Sequence, residues 1–243
     1  MKILSTFLAI LSLLFPPLPQ RGGQVIISPA PVSGGGVIPA ILSGQVCHNA
    51  SSGSSVLTCT LPSNDTSGNA VVVGGINYGN VDPSVPTMTG ATFTAVGAAC
   101  YSGTESVYIY VATNVTGGNQ VVTWTGLSSV DYSMNIAEVS GIALASAVDG
   151  SLSCNSGGTY TSPATVGPSG TPSTTNEFAF SGLRVDNVVV TTTWTNGFSL
   201  VTQTNGNNTS GFALTTASAI TAKATTDTDG HPFAMALVLL KHQ

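Results

Sequence analysis

Few residues in this 243-residue chain can do chemistry: ten Asp and Glu, five Lys and Arg, three His and four Cys. Glu138 is the foremost acid–base candidate, because it interrupts the apolar run Met-Asn-Ile-Ala-Glu-Val and on a strand would share a face with Met134 and Ile136. Glycoside hydrolysis requires a second, opposed carboxylate, and no spacing supplies one. A buried Glu138 hydrogen-bonded to Ser or Thr hydroxyls or to Arg184 is therefore expected. Nucleophilic catalysis needs a base beside the nucleophile, whereas His48, His231 and His242 are dispersed. The chain has no Gly-x-Ser-x-Gly elbow, His-Glu-x-x-His, phosphate loop or dinucleotide fingerprint. The expectation is a non-enzyme without a cofactor.

Asp227 and Asp229, in Asp-Thr-Asp-Gly, have the alternate carboxylates of a calcium loop but lack its third acidic residue and its distal Glu. An Asp-Gly hairpin turn joining strands at 219–225 and 233–240 explains them with nothing added. Cys47, Cys59, Cys100 and Cys154 contain no Cys-x-x-Cys spacing, so two disulfides are expected in place of a metal. A hairpin centred on Gly53 sets Cys47 opposite Cys59, and Cys100 then pairs with Cys154. Among the aromatics, Tyr78 and Tyr160 stand in turn-like surroundings and are expected at the surface, where a ring can stack on a sugar. Trp124 and Trp194 sit in alternating strands and are expected in the core. Sequons at Asn49, Asn64, Asn114, Asn207 and Asn208 permit N-glycosylation without demonstrating it.

The elements that must position these residues follow from composition. Charged residues make up 6% of the chain, against about 25% for a typical soluble domain, so polarity rests on hydroxyls and amides, as in an exported protein. A net charge of -5 with so few Lys and Arg excludes phosphate neutralisation and hence nucleic-acid binding. Met1-Lys2 and the apolar stretch 3–15, stopped by Pro16 and Pro17, predict an export signal over 1–20. No later segment approaches the roughly 18 apolar residues of a membrane span. Residues 21–43 are Pro- and Gly-rich and read as an arm or linker. Within it, 24–42 is apolar enough to add a strand to a neighbouring subunit.

From 44 to 243 short runs rich in Val, Thr, Ile, Tyr and Phe alternate with Gly, Asn, Asp and Pro. They predict an all-β, antiparallel sandwich with strands near 45–48, 55–61, 70–76, 92–98, 106–113, 120–125, 132–139, 177–183, 188–194, 198–203, 212–216, 219–225 and 233–240. The stretch 69–76 echoes 176–183, which is read as two strands in equivalent positions and not as a duplicated unit.

The run from Tyr110 through Asn114, Gly117, Gly118 and Val121 to Trp124, followed by Glu138, Gly141, Asp149 and Gly150, resembles a β-sandwich module of secreted and surface proteins of environmental bacteria. The stretches at 176–177, 197–201 and 234–239 fit the same layout. The resemblance implies a jelly-roll-like fold and extracellular display, and it carries no catalytic residues. Adhesion, or binding of a carbohydrate or cell-wall polymer, is the expected function. The alternative is a structural subunit of an extracellular filament or coat, assembled from copies of itself by donation of the arm.

Overall fold

A computed structural model describes residues 36–51, 53–78, 83–127, 131–186, 191–204, 208–216, 218–227 and 229–243. The expected export signal, the arm up to residue 35 and Asn207 lie outside these. The described residues belong to one compact unit, Gly34–Gln243. No described helix is long and apolar enough to cross a membrane.

The unit contains two sandwiches built to one plan. The first comprises β1 (Ala40–Ser51), β2 (Val56–Thr60), β3 (Ala70–Tyr78), β4 (Thr94–Ala95), β5 (Cys100–Tyr101), β6 (Glu105–Ala112), β7 (Val121–Thr125) and β8 (Tyr132–Ser140). The second comprises β9 (Val148–Gly157), β10 (Ala164–Val166), β11 (Phe178–Val185), β12 (Thr192–Thr195), β13 (Ser199–Thr204), β14 (Asn208–Leu214), β15 (Ala222–Thr226) and β16 (Phe233–Leu240). The first large sheet runs β1-β8-β3-β6-β4 with β5 also on β6, and the second runs β9-β16-β11-β14-β13. The first small sheet is β2-β7, extended by a bridge from Thr87 to Thr123; the second is β10-β15-β12. Counted from the start of each half, both place strands 1-8-3-6 in the large sheet and 2-7 in the small one, the jelly-roll order. All pairs are antiparallel.

The antiparallel, jelly-roll-like sandwich expected for 44–243 is present, built twice within one compact unit, and the strands at 69–76 and 176–183 hold equivalent positions in the two halves, as expected. A second shared detail supports this. The ladders of β1 and β9 both shift register beside a left-handed glycine, Gly44 (φ 76) and Gly150 (φ 74), the position where a bulge needs a residue without Cβ.

The four sheets stack as small, large, large, small, with three apolar layers between them. Leu57, Val71, Tyr110, Trp124 and Met134 fill the first; Val72, Ile76, Ile109, Phe178, Phe180 and Val238 fill the middle; Leu183, Trp194, Phe233 and Met235 are among those filling the third. This explains two kinds of strand sequence. In β3, β6, β11 and β16 both faces are covered, so apolar residues run almost continuously. In β2 one face meets water, so Leu57 and Cys59 point in while Val56, Thr58 and Thr60 point out. Each tryptophan lies over a glycine of a large sheet, Trp124 over Gly75 and Trp194 over Gly211, where a Cβ would come within 2.7 and 2.5 Å of the ring.

The halves meet as a pseudo-twofold pair. β1 packs on β13 and β5 on β9, β8 on β14 and β6 on β16, while β3 faces β11. Each contact has its counterpart with the roles exchanged, as in an isologous interface.

Both disulfides form as expected, which fits an oxidising compartment. The hairpin argument for the first is corrected. β1 pairs with β8 and β2 with β7, so the chain changes sheet after Ser51 and Cys47–Cys59 staples the two layers of the first sandwich, its Cα atoms 6.0 Å apart. Cys100–Cys154 joins β5 to β9 and therefore one sandwich to the other, at a Cα separation of 5.4 Å. The expected hairpin between 219–225 and 233–240 is also corrected, because β15 and β16 lie in different sheets. The arm ends earlier than expected: Ala40 and Ile41 already pair with Ser140 and Val139 of the same chain.

Candidate functional site

Both large sheets end together where β3 and β11 finish and β6, β8, β14 and β16 begin. The duplicated plan brings polar residues from both halves to this end. Glu105 opens β6 and Arg184 stands near the end of β11. Their side chains meet across the middle layer, Arg184 Nε donating to Glu105 Oε2. Arg184 Nη1 also donates to Asn208 Oδ1 at 3.0 Å. Glu105 is 0% exposed and Arg184 3%. Burial pushes the Glu105 carboxyl above its ordinary value; Arg184 opposes the rise, and the negative charges of Asp186 and Asp131 add to it.

Buried polar atoms with no hydrogen-bond partner at this end are Glu105 Oε1 and Thr104 Oγ1 and, on the face toward the first small sheet, both amide atoms of Asn77 and the Tyr132 hydroxyl. Asn77 and Tyr132 are register partners on β3 and β8. Tyr78 follows, 37% exposed, its N–H donating to Asp131 O at 2.8 Å. The exposed Tyr78 is thus the register partner of Glu105 and is bonded through its backbone to Asp131, which is exposed, while Asp186, half-buried, follows β11 next to Arg184's strand end. Glu105 is enclosed, one carboxyl oxygen engaged by Arg184 and the other without a partner.

The structure distributes the other expected residues as follows. Glu138 is buried, as expected, but its partners are amides and backbone. Gln45 Nε2 donates to Oε2 at 3.0 Å, and Thr66 N–H and Asn69 Nδ2 donate to Oε1, each at 2.7 Å. Arg184, proposed as its partner, is held by Glu105 in the middle layer, on the far side of the large sheet.

Tyr160 is corrected from surface to core. It is buried edge-on against Phe233; its hydroxyl donates to Ala224 O and accepts the N–H groups of Ala164 and Thr226. The reason is local: the segment around Tyr160 pairs with the chain at Gly230 and His231, which turns the ring under the second small sheet.

Asp229 is exposed and accepts the Ser162 N–H at 2.6 Å, a loop cap; Asp227 is exposed two residues before it. Among the described residues no three His, Cys, Asp or Glu gather as a metal site. Asn49, Asn64 and Asn114 are exposed, whereas Asn208 is buried against Arg184, which corrects it as a glycosylation site.

At the opposite end of the sheets Thr92, Thr94, Val111, Thr113, Ser146, Ala147 and Val148 line a groove of about 300 Å³ without a charged group. Sequence reasoning missed Glu105, Asp131 and Asp186. The available signal was Arg184 itself, a lone cation in the apolar run Phe-Ala-Phe-Ser-Gly-Leu-Arg-Val, which demands a buried anion. No family model, curated protein or solved structure matches the chain.

Proposed function

We propose that this protein is a secreted, non-catalytic module that binds a neutral carbohydrate or cell-wall polymer at the end of the sheets marked by Tyr78. The observation that carries the reading is the exposed Tyr78, bonded through its backbone to Asp131 at the strand ends where the buried Glu105–Arg184 pair lies. Rigid strand ends position these groups, so little ordering opposes binding. The two disulfides and the scarcity of charge support an extracellular location. The test is isothermal titration of the purified protein with a panel of soluble polysaccharides and peptidoglycan fragments. Wild type should bind at least one member, and Tyr78→Ala should weaken that binding by at least tenfold with its near-ultraviolet circular dichroism unchanged. Absence of binding across the panel, or equal binding by Tyr78→Ala, overturns the reading.

A second reading, self-assembly into a filament or coat, is favoured by the edges. β1 and β9 are 12- and 10-residue outer strands without a single Lys or Arg, the residues that usually discourage edge pairing. Ala40 and Ile41 are engaged within their own chain, so a donated strand would have to come from residues before 40. Light scattering on the full chain and on a truncation beginning at Gly36 tests this: monomers in both cases overturn it.

A further inference from the structure

We propose that the second sandwich carries an intramolecular isopeptide bond between Lys241 and Asp149, formed autocatalytically with Glu177 as the catalytic residue. Register places the three side chains on one face of the second large sheet. Asp149 of β9 is opposite Leu239, and Phe178 of β11 is opposite Leu240, so Lys241 at the end of β16 lies beside Glu177 and diagonal to Asp149. Lys241 Nζ is 3.7 Å from Asp149 Oδ1.

Asp149 is held from its other side by the Ser173 N–H, which donates to Oδ2 at 2.7 Å. Glu177 is fully buried. Its Oε1 accepts the Ser173 hydroxyl at 2.7 Å, the Thr174 N–H at 3.0 Å and the Thr174 hydroxyl at 3.3 Å, while its Oε2 has no donor against it. The Asp149 carboxyl lies below its ordinary value although burial pulls it upward, with the hydrogen bonds from Ser173 and the charge of Lys241 among the effects that oppose burial. Register thus sets Glu177, with one unpartnered carboxyl oxygen, on the same face of the sheet as Lys241 and Asp149.

The chemistry closes without any further reagent. The ion pair, –NH3⁺ and –COO⁻, gives –NH–CO– and one water. Lys241 Nζ, as the free amine, bonds to Asp149 Cγ, one Cγ–O bond breaks, and two of the three ammonium protons leave with the departing oxygen. Glu177 Oε2 relays these protons and, while protonated, polarises the Asp149 carbonyl. Fixed strands supply the proximity that makes amide formation feasible in water.

The first sandwich offers an internal contrast. Its equivalent corner is closed by Glu138 with Gln45, Asn69 and the Thr66 N–H, and it contains no lysine. The chain has only Lys2, Lys223 and Lys241, and Lys241 stands 3.7 Å from Asp149. The bond would clamp the first strand of the second sandwich to its last.

Intact-mass spectrometry of the reduced full chain tests the proposal. Wild type should weigh one water less than its sequence. After trypsin, which cuts at Arg184 and Lys223, the fragment holding Asp149 should remain joined to the fragment that begins at Ala224. Lys241→Arg, which keeps the cation, should restore the full mass and separate the fragments, and Glu177→Gln should do the same. A wild-type protein of full mass with Lys241 open to acetylation overturns the bond, and a Glu177→Gln protein that still loses water overturns the role of Glu177.

Discussion

Replacing Arg184 with Met removes the guanidinium and leaves Glu105 in the middle layer with no countercharge. The side chains of this pair are 4% and 0% exposed, and breaking such a pair costs about 3–5 kcal/mol because the orphaned charge stays desolvated. Asn208 Oδ1 loses its donor as well, adding about 1 kcal/mol. Against a total stability of about 5–15 kcal/mol, the variant should lose roughly a third or more of its stability at neutral pH. Replacing both partners, Glu105→Leu with Arg184→Met, removes both charges from the layer and should return stability to within about 1–2 kcal/mol of wild type.

The loss also depends on pH with a definite sign. The folded-state pKa of Glu105 is raised above the ordinary 4.5, so the native state holds this proton more tightly than the unfolded chain does. The contribution of the group is greatest below 4.5 and declines as pH climbs through the raised value. Without Arg184, which lowers it, that value rises further, and the defect of Arg184→Met should shrink on acidification. Urea unfolding at pH 7 and pH 4, with slopes compared to confirm a common unfolded state, measures these quantities. A single variant within about 1 kcal/mol of wild type, or a double variant as unstable as the sum of the singles, refutes the argument.

Gly75→Ala and Gly211→Ala should each lose about 1–3 kcal/mol, because the new methyl enters the ring of Trp124 or Trp194; Gly158→Ala, with open space around it, serves as the neutral comparison in thermal unfolding. Removing Cys100–Cys154, which spans 54 residues, should cost about 4 kcal/mol, and removing Cys47–Cys59, which spans 12, about 3 kcal/mol, measured as shifts in the urea midpoint of the double-serine variants. Tyr160→Phe should lose about 1–3 kcal/mol by stripping the Ala164 and Thr226 N–H groups of their acceptor, and amide hydrogen exchange at those two positions should accelerate.

The strands at 70–76, 106–113 and 233–240 were legible because burial on both sides leaves a nearly continuous apolar run. The same runs carried a message that alternation-based reading passes over: a strand covered on both faces belongs to a stack deeper than one sandwich. β9 escaped notice since an edge strand of Ser, Asn and Gly is chemically indistinguishable from a loop until its ladder with β16 is seen. The duplication was nearly hidden as well. The sequence echo aligned Gly75 with Gly182, whereas Gly182, like Gly74, faces the middle layer and Gly75 faces Trp124 on the other side of its sheet. That slip exchanges the faces of the strand, so only hydrogen-bond pairing reveals which residues correspond. Tyr78 was legible as a surface aromatic from its Asn and Gly neighbours, but the acidic groups around it come from three separate strands and strand ends, and no local spacing joins them.

The twofold relation of the halves bears on how the protein is made. Synthesis completes the first sandwich before β9 exists, so Val72, Ile76 and Ile109 on its inner sheet stand uncovered in the meantime. A nascent chain in that state resembles half of an obligate dimer awaiting a partner that is tethered to it through residues 141–147. A ribosome or export channel that stalls in this interval would release a sticky intermediate able to dimerise with another copy of itself, through the very face that the second half is built to occupy.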